Sequence, residues 1–124
     1  METRVEIIDN QKTSYILITV IGELQARQTT ELAMEAIRIK KETGINRALW
    51  DLRKTELKDS FLDSHNFMIG LKTLGVDYSD SIAVVYRQNT IQHEHAENVA
   101  YNRGFYNIKY FKDYESALKW LIEN

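Results

Sequence analysis

Short apolar runs alternate along this chain with segments whose apolar residues recur every three to four positions. That alternation restricts the fold more than any other feature. The plainest run is Ser81 to Tyr86, whose centre, Ile82-Ala83-Val84-Val85, is wholly apolar. Tyr15 to Ile21 is apolar on both alternating faces, the pattern of a strand covered on both sides. Val5 to Ile8 is shorter and flanked by charge, as suits an edge strand. Asn10 to Ser14 reads as the loop between them, so the two runs are expected to form an antiparallel hairpin. Arg47 to Leu52 and Asn107 to Phe111 complete five strands.

The helical segments lie between these runs. Leu32, Ala36 and Ile39, with Ala33 and Ile37, describe one buried face from about Thr29 to Glu42, stopped at Gly44. A second helix is expected over Ser60 to Leu74, with Phe61, Met68, Leu71 and Leu74 inward and Gly75 as its stop. A third runs from about Thr90 to Asn102 and ends by Gly104. Asp113 caps a fourth, which carries Tyr114, Ala117, Leu118 and Leu121 on one stripe. The order β-β-α-β-α-β-α-β-α predicts an α/β domain with a mixed, mostly parallel five-stranded sheet, a leading hairpin, about four helices and right-handed crossovers. With no proline, five glycines and no low-complexity tract, nothing divides the chain, and 1–124 reads as one domain.

Composition removes several function classes. A net charge of −2 gives no basic excess to attract nucleic acid or an anionic membrane. The absence of cysteine removes disulfides, thiolate catalysis and cysteine-held metals. No apolar stretch is long enough to span a bilayer, and Met1 to Glu6 lacks the features of a secretory signal, so a cytoplasmic location is expected. No Gly-x-Ser-x-Gly elbow, Gly-x-Gly-x-x-Gly fingerprint or Walker loop occurs. No cofactor and no enzymatic activity are expected. His93-Glu94-His95 is not read as a metal site, because residues two apart on a helix point to nearly opposite sides. His95 is expected half-buried with one satisfied nitrogen, and His65 alone adds nothing.

The polar residues of interest gather around the middle of the chain. Arg47 to Leu52 contains Asp51, a polar link from Arg53 to Lys58 follows, and Asp59-Ser60 opens the second helix. In an α/β domain this places Asp51, Asp59 and Ser60 near the carboxyl edge of a strand, where such folds bind ligands. Ser60 reads two ways: as an N-cap, with Asp63 three residues on, or as a hydroxyl that takes a phosphate or helps hold an anion. Asp51 also reads two ways. It either lines a cleft with Arg53, Arg87, Asn89 and Thr90, or forms an ion pair that holds a turn.

The strand ending Asp51-Leu52, followed by Leu57-Lys58-Asp59-Ser60 at a helix start, resembles the STAS domain of bacterial anti-sigma factor antagonists. The closing sequence, Tyr110-Phe111, then Ala117-Leu118-Lys119-Trp120-Leu121, is similar to a STAS-like group of small bacterial proteins linked by fold to the CRAL-TRIO lipid carriers. The resemblance implies a regulatory or protein-interaction domain with its working surface at the start of the second helix, around Asp59, Ser60, Phe61 and Ser64. In the regulatory STAS proteins the second serine of Asp-Ser-Ser-Gly accepts the phosphate. Here Phe61 stands at that position and Leu62 at the glycine, so a serine-kinase switch of that type is not expected.

Two alternatives remain beside an unidentified protein partner. A small carrier would hold an apolar or acidic metabolite between sheet and helices, lined by Phe61, Phe67, Met68 and Leu71, with Arg53 or Arg87 at the mouth. A homodimer would cover the edge strand Val5 to Ile8 and an apolar patch at Trp120 and Ile122.

Overall fold

A computed structural model describes residues 1–124. Its elements are β1 (Glu2–Asp9), β2 (Ser14–Leu24), α1 (Ala26–Thr43), β3 (Arg47–Leu57), α2 (Phe61–Ile69), α3 (Leu71–Leu74), β4 (Ser81–Tyr86), α4 (Thr90–Asn102), β5 (Ile108–Phe111) and α5 (Tyr114–Glu123). The strands form one sheet in the order β1-β2-β3-β4-β5. The leading hairpin is antiparallel and every later pairing is parallel, as the alternation requires.

Side-chain alternation divides the core between two faces of this sheet. On one, Leu32, Ala36 and Ile39 of α1 pack on Ile16, Ile18, Leu52 and Val84. On the same face Met68, Leu71, Ala96 and Val99, from α2 to α4, pack around Ile82 and Ile108. On the other face Ala117 and Leu121 of α5 meet Tyr15, Leu49, Ala83 and Val85. Trp120 and Ile122 are half-buried rather than exposed, with Trp120 5.8 Å from Phe111 between ring centroids. Trp120 packs against the cluster on the α5 face. No helix is long and apolar enough to cross a membrane.

Two boundaries depart from the sequence reading. Residues 53–57 are not a link but the second half of β3, with Lys54 to Leu57 paired with Ile21 to Leu24 of β2. The pairing slips between Thr19 and Ile21, where β3 carries an extra residue opposite β2. Such a bulge reverses the side-chain alternation, so Leu52 and Leu57 both reach the α1 face although their spacing is odd. A period-two pattern is unreadable across that slip. The second helix also breaks at Gly70 into α2 and the single turn of α3. Glycine costs a helix interior about 1 kcal/mol relative to alanine.

β4 pairs with β3 only as far as Leu52, so residues 53–57 project beyond it and leave backbone groups without a strand partner on that side. Asn89 supplies one partner: its Oδ1 accepts from the Leu57 N–H at 2.9 Å. To do so Asn89 takes a left-handed conformation, φ 59° and ψ 40°, just before α4. This overhang is the platform on which α2 begins.

Candidate functional site

Beneath the start of α2 lies a small buried polar network. Ser60 is the N-cap of α2, its Oγ accepting from the Asp63 N–H at 3.1 Å. Ser64 Oγ donates to Asp59 Oδ2 at 2.8 Å. Gln92 Nε2, from α4, donates to Ser64 Oγ at 2.5 Å and reaches the Asp59 carbonyl at 3.2 Å. The remaining carboxylate oxygen, Asp59 Oδ1, is buried with no hydrogen-bond partner. A buried acceptor left unpaired costs about 1–3 kcal/mol.

Gln92 is the residue that sequence reasoning missed. Its signal is a polar side chain inside the buried stripe of α4, with His93, Ala96, Val99 and Ala100. Gln92 is 7% exposed and joins the first turn of α2 to α4.

The structure separates the proposed site residues. Asp51 is not at a strand end but in mid-strand, paired with Thr19 and Val85. With Arg53 it lies on the α5 face, opposite Asp59, Ser64 and Asn89. Arg53 Nε and a terminal nitrogen meet the two Asp51 oxygens, both at 2.9 Å, in a bidentate pair. The Arg53 guanidinium also lies 4.6 Å from the Tyr114 ring centroid. Burial works to raise the Asp51 carboxyl, but Arg53, assisted by the charge of Arg87, outweighs it and holds Asp51 below the usual carboxylate range. Of the two readings of Asp51, the ion pair is the one realised. Arg53, held on the α5 face by Asp51 and Tyr114, does not sit at the mouth of a site between the sheet and α2.

On the opposite face a cavity of about 140 Å³ lies between the α1 cluster and the α2–α4 cluster. Phe67, Met68 and Leu71 line it as expected. Phe61 does not; it points outward, 51% exposed. Asp59, Ser64, Gln92 and His93 form its polar wall. His93 is 4% exposed and packed among the rings of Tyr86 and Tyr110, at 4.7 and 5.7 Å. Burial alone pulls its pKa down to about 4, with no charge or hydrogen bond contributing, so its imidazole is neutral near pH 7.

The outer side of the same region is apolar. Phe61, Leu62 and Ile91 are 51%, 66% and 74% exposed, at the first turns of α2 and α4. Beside them His65 is not alone: its Nδ1 lies 3.3 Å from His95 Nε2, and the two rings stack at 5.5 Å. His93 and His95 do diverge as the helix geometry demands, one into the core and one outward.

No protein-family model matches this chain, and no curated protein matches it in sequence. Its structure is similar to that of a protein from Shewanella loihica PV-4, of the DUF3478 family with a SpoIIAA-like fold. The TM-score is 0.61 at 24% identity, covering 96% of this chain and 93% of that one. It is also similar to the unphosphorylated anti-sigma factor antagonist SpoIIAA, with TM-score 0.56 and 12% identity over 95% of this chain and 96% of that one. The phosphorylated form of SpoIIAA, the Bacillus cell fate determinant, superposes with TM-score 0.57 at 13% identity, over 95% of this chain and 97% of that one. The hairpin, the parallel strands and the helices on two faces are therefore the SpoIIAA-like arrangement, and the chain has the STAS-like fold that its Asp51-Leu52 and Asp59-Ser60 motifs resemble.

Proposed function

We propose that this chain is a non-enzymatic interaction module that binds a protein partner through the outer surface at the start of α2. One observation carries the reading: three large apolar side chains, Phe61, Leu62 and Ile91, are exposed at the first turns of two helices, α2 and α4, which meet at Phe61 and His95. Their base is rigid because the Asp59–Ser64–Gln92 network and the Asn89–Leu57 hydrogen bond pin the two helix starts to the overhang of β3. Apolar residues presented on such a platform give up little conformational entropy when covered. The fold adds support at the level of class, since an anti-sigma factor antagonist shares it.

A phosphorylation switch of the SpoIIAA type is not part of this reading. Phe61 occupies the matching acceptor position, and the Ser60 hydroxyl is engaged in capping α2. Partner binding is then governed by the apolar surface itself.

Photo-crosslinking in cells tests the proposal. A photoreactive phenylalanine at Leu62 or Ile91 is expected to trap one discrete protein adduct, whereas the same residue at exposed Glu115 on α5 traps none. Equal labelling at all three positions, or none at Leu62 and Ile91, overturns it. Robust turnover of an ester, phosphate or nucleotide substrate, lost in Asp51→Asn, would overturn the non-enzymatic half.

A further inference from the structure

We propose that the cavity between the sheet and helices α1, α2 and α4 is a binding site for a small uncharged aromatic molecule bearing one hydroxyl or ring N–H, which hydrogen-bonds to His93. This site is distinct from the outer surface at Phe61, Leu62 and Ile91, and the proposal does not rest on a protein partner.

Size sets the first limit. Ligand pockets for drug-sized molecules run to about 300–1,000 Å³, whereas an aliphatic cavity of about 150 Å³ holds a single benzene ring. At about 140 Å³ the cavity has room for about one ring. Its position explains why it stays open. It lies between two packed clusters, one built on α1 and one on α2 to α4, so neither fills the space between them.

The wall selects the chemistry. Trp50, Phe67, His93 and Tyr110 contribute rings, which favour an aromatic guest through offset or edge-on contacts. His93 is the informative member. It is more than nine-tenths buried, it lines the cavity, and its ring nitrogens have no protein partner. Asp59 Oδ1 is the one fully buried side-chain polar atom without a partner, so the His93 nitrogens keep accessible surface, and the cavity that His93 lines is where a guest can reach them. A neutral imidazole offers one donor and one acceptor, which a phenolic hydroxyl or an indole N–H meets equally well.

Charge sets the last limit. An acidic ligand needs a free cation, and none faces the cavity. Lys40 lines it, but its ammonium is committed to Gly75 O, Asp77 and Asp80 at 2.9, 3.1 and 2.7 Å. Arg47 also lines it, but its guanidinium is spent on Leu121 O, Thr13 Oγ1 and Asn124 O. The Asp59 carboxylate in the polar wall adds repulsion toward an anion.

Titration of the full chain with phenol, benzene and benzoate, followed by backbone amide NMR, tests the site. Phenol is expected to shift the amides of Leu52, Val84 and Ala96 saturably. Benzene should bind more weakly, and benzoate should leave those amides unmoved. His93→Leu should lower the preference for phenol over benzene about five- to tenfold, the equivalent of one net hydrogen bond. His93→Gln, which restores a donor and an acceptor, should recover much of that preference. No saturable phenol shift in the unmodified protein overturns the proposal. So does benzoate binding as tightly as phenol, or a phenol preference unchanged in His93→Leu. The three-ligand comparison on the unmodified chain decides the matter even if a His93 variant does not fold.

Discussion

Two polar clusters sit at opposite ends of the parallel strands, completed to different degrees. At the amino ends, Lys40 bridges Gly75 O, Asp77 and Asp80, and Asp80 Oδ2 also accepts from the Asp77 N–H at 2.9 Å. Burial works against the charge on Lys40, but the two aspartates outweigh it and raise its pKa. At the carboxyl ends, Asp59, Ser64 and Gln92 form a chain that leaves Asp59 Oδ1 unpaired, beside a histidine without a partner. The first cluster closes its hydrogen bonds and locks a loop to α1. The second leaves capacity over, at the end of the sheet where α/β folds place their sites. The two ends thus differ in how completely their polar groups are paired.

Four measurements sharpen or break that contrast. Lys40→Met should have the largest effect, because it strands Asp80, a 7% exposed carboxylate, without its cation. A loss near the lower end of roughly 3–5 kcal/mol is expected in denaturant unfolding, since Asp80 keeps the Asp77 N–H. A loss below about 1 kcal/mol would remove the structural role of this cluster.

The pH dependence comes next. His93 is held neutral when folded, with a pKa of about 4 against 6.5 for a free imidazole. Between those values the unfolded chain binds a proton that the folded one does not, so stability falls as pH drops from 6.5 to about 4. The expected loss over that window is roughly 3 kcal/mol, and His93→Gln should flatten the slope. An unchanged slope in the variant would show that other groups carry it. Asp51 acts lower, its contribution being present above the unfolded value of 3.8 and lost as pH falls through its depressed folded pKa.

Ser60→Ala should cost about 1 kcal/mol, as loss of a helix N-cap does. A negligible change would mean that the cap is not what keeps serine at this position. The smallest effect is expected from Asp59→Ala. That change removes an unsatisfied buried acceptor and leaves Ser64 held by Gln92, so its two effects offset to within about 1 kcal/mol. A loss as large as that of Lys40→Met would make the two clusters equivalent.

The sequence was most legible where period, cap and turn agreed. Ser81 to Tyr86 is a strand at the expected residues, Gly44 closes α1 in the left-handed conformation, and Asp113 caps α5 by accepting from the Ser116 N–H. It misled at 53–57, where the bulge shifts the alternation of Lys54, Thr55, Glu56 and Leu57 so that a half-buried strand reads as a polar link. That error carried into the site. With β3 ended at Leu52, Asp51 and Asp59 read as neighbours on one edge, whereas the longer strand puts Asp51 and Arg53 on the α5 face, away from Asp59.

By itself the sequence determined the order of elements and the caps, which rest on interactions a few residues apart, and the strand–helix alternation then implied the parallel sheet with its leading hairpin. Only the tertiary structure decided which polar residues meet. Gln92 reaches Asp59 and Ser64 across about thirty residues, and Asn89 reaches Leu57 over a similar span. The cavity beside His93 exists because two separately packed clusters leave a gap on the same face of the sheet. Local rules carry no information about such distances, since they depend on how far each helix settles onto the sheet and on the volume of every side chain between.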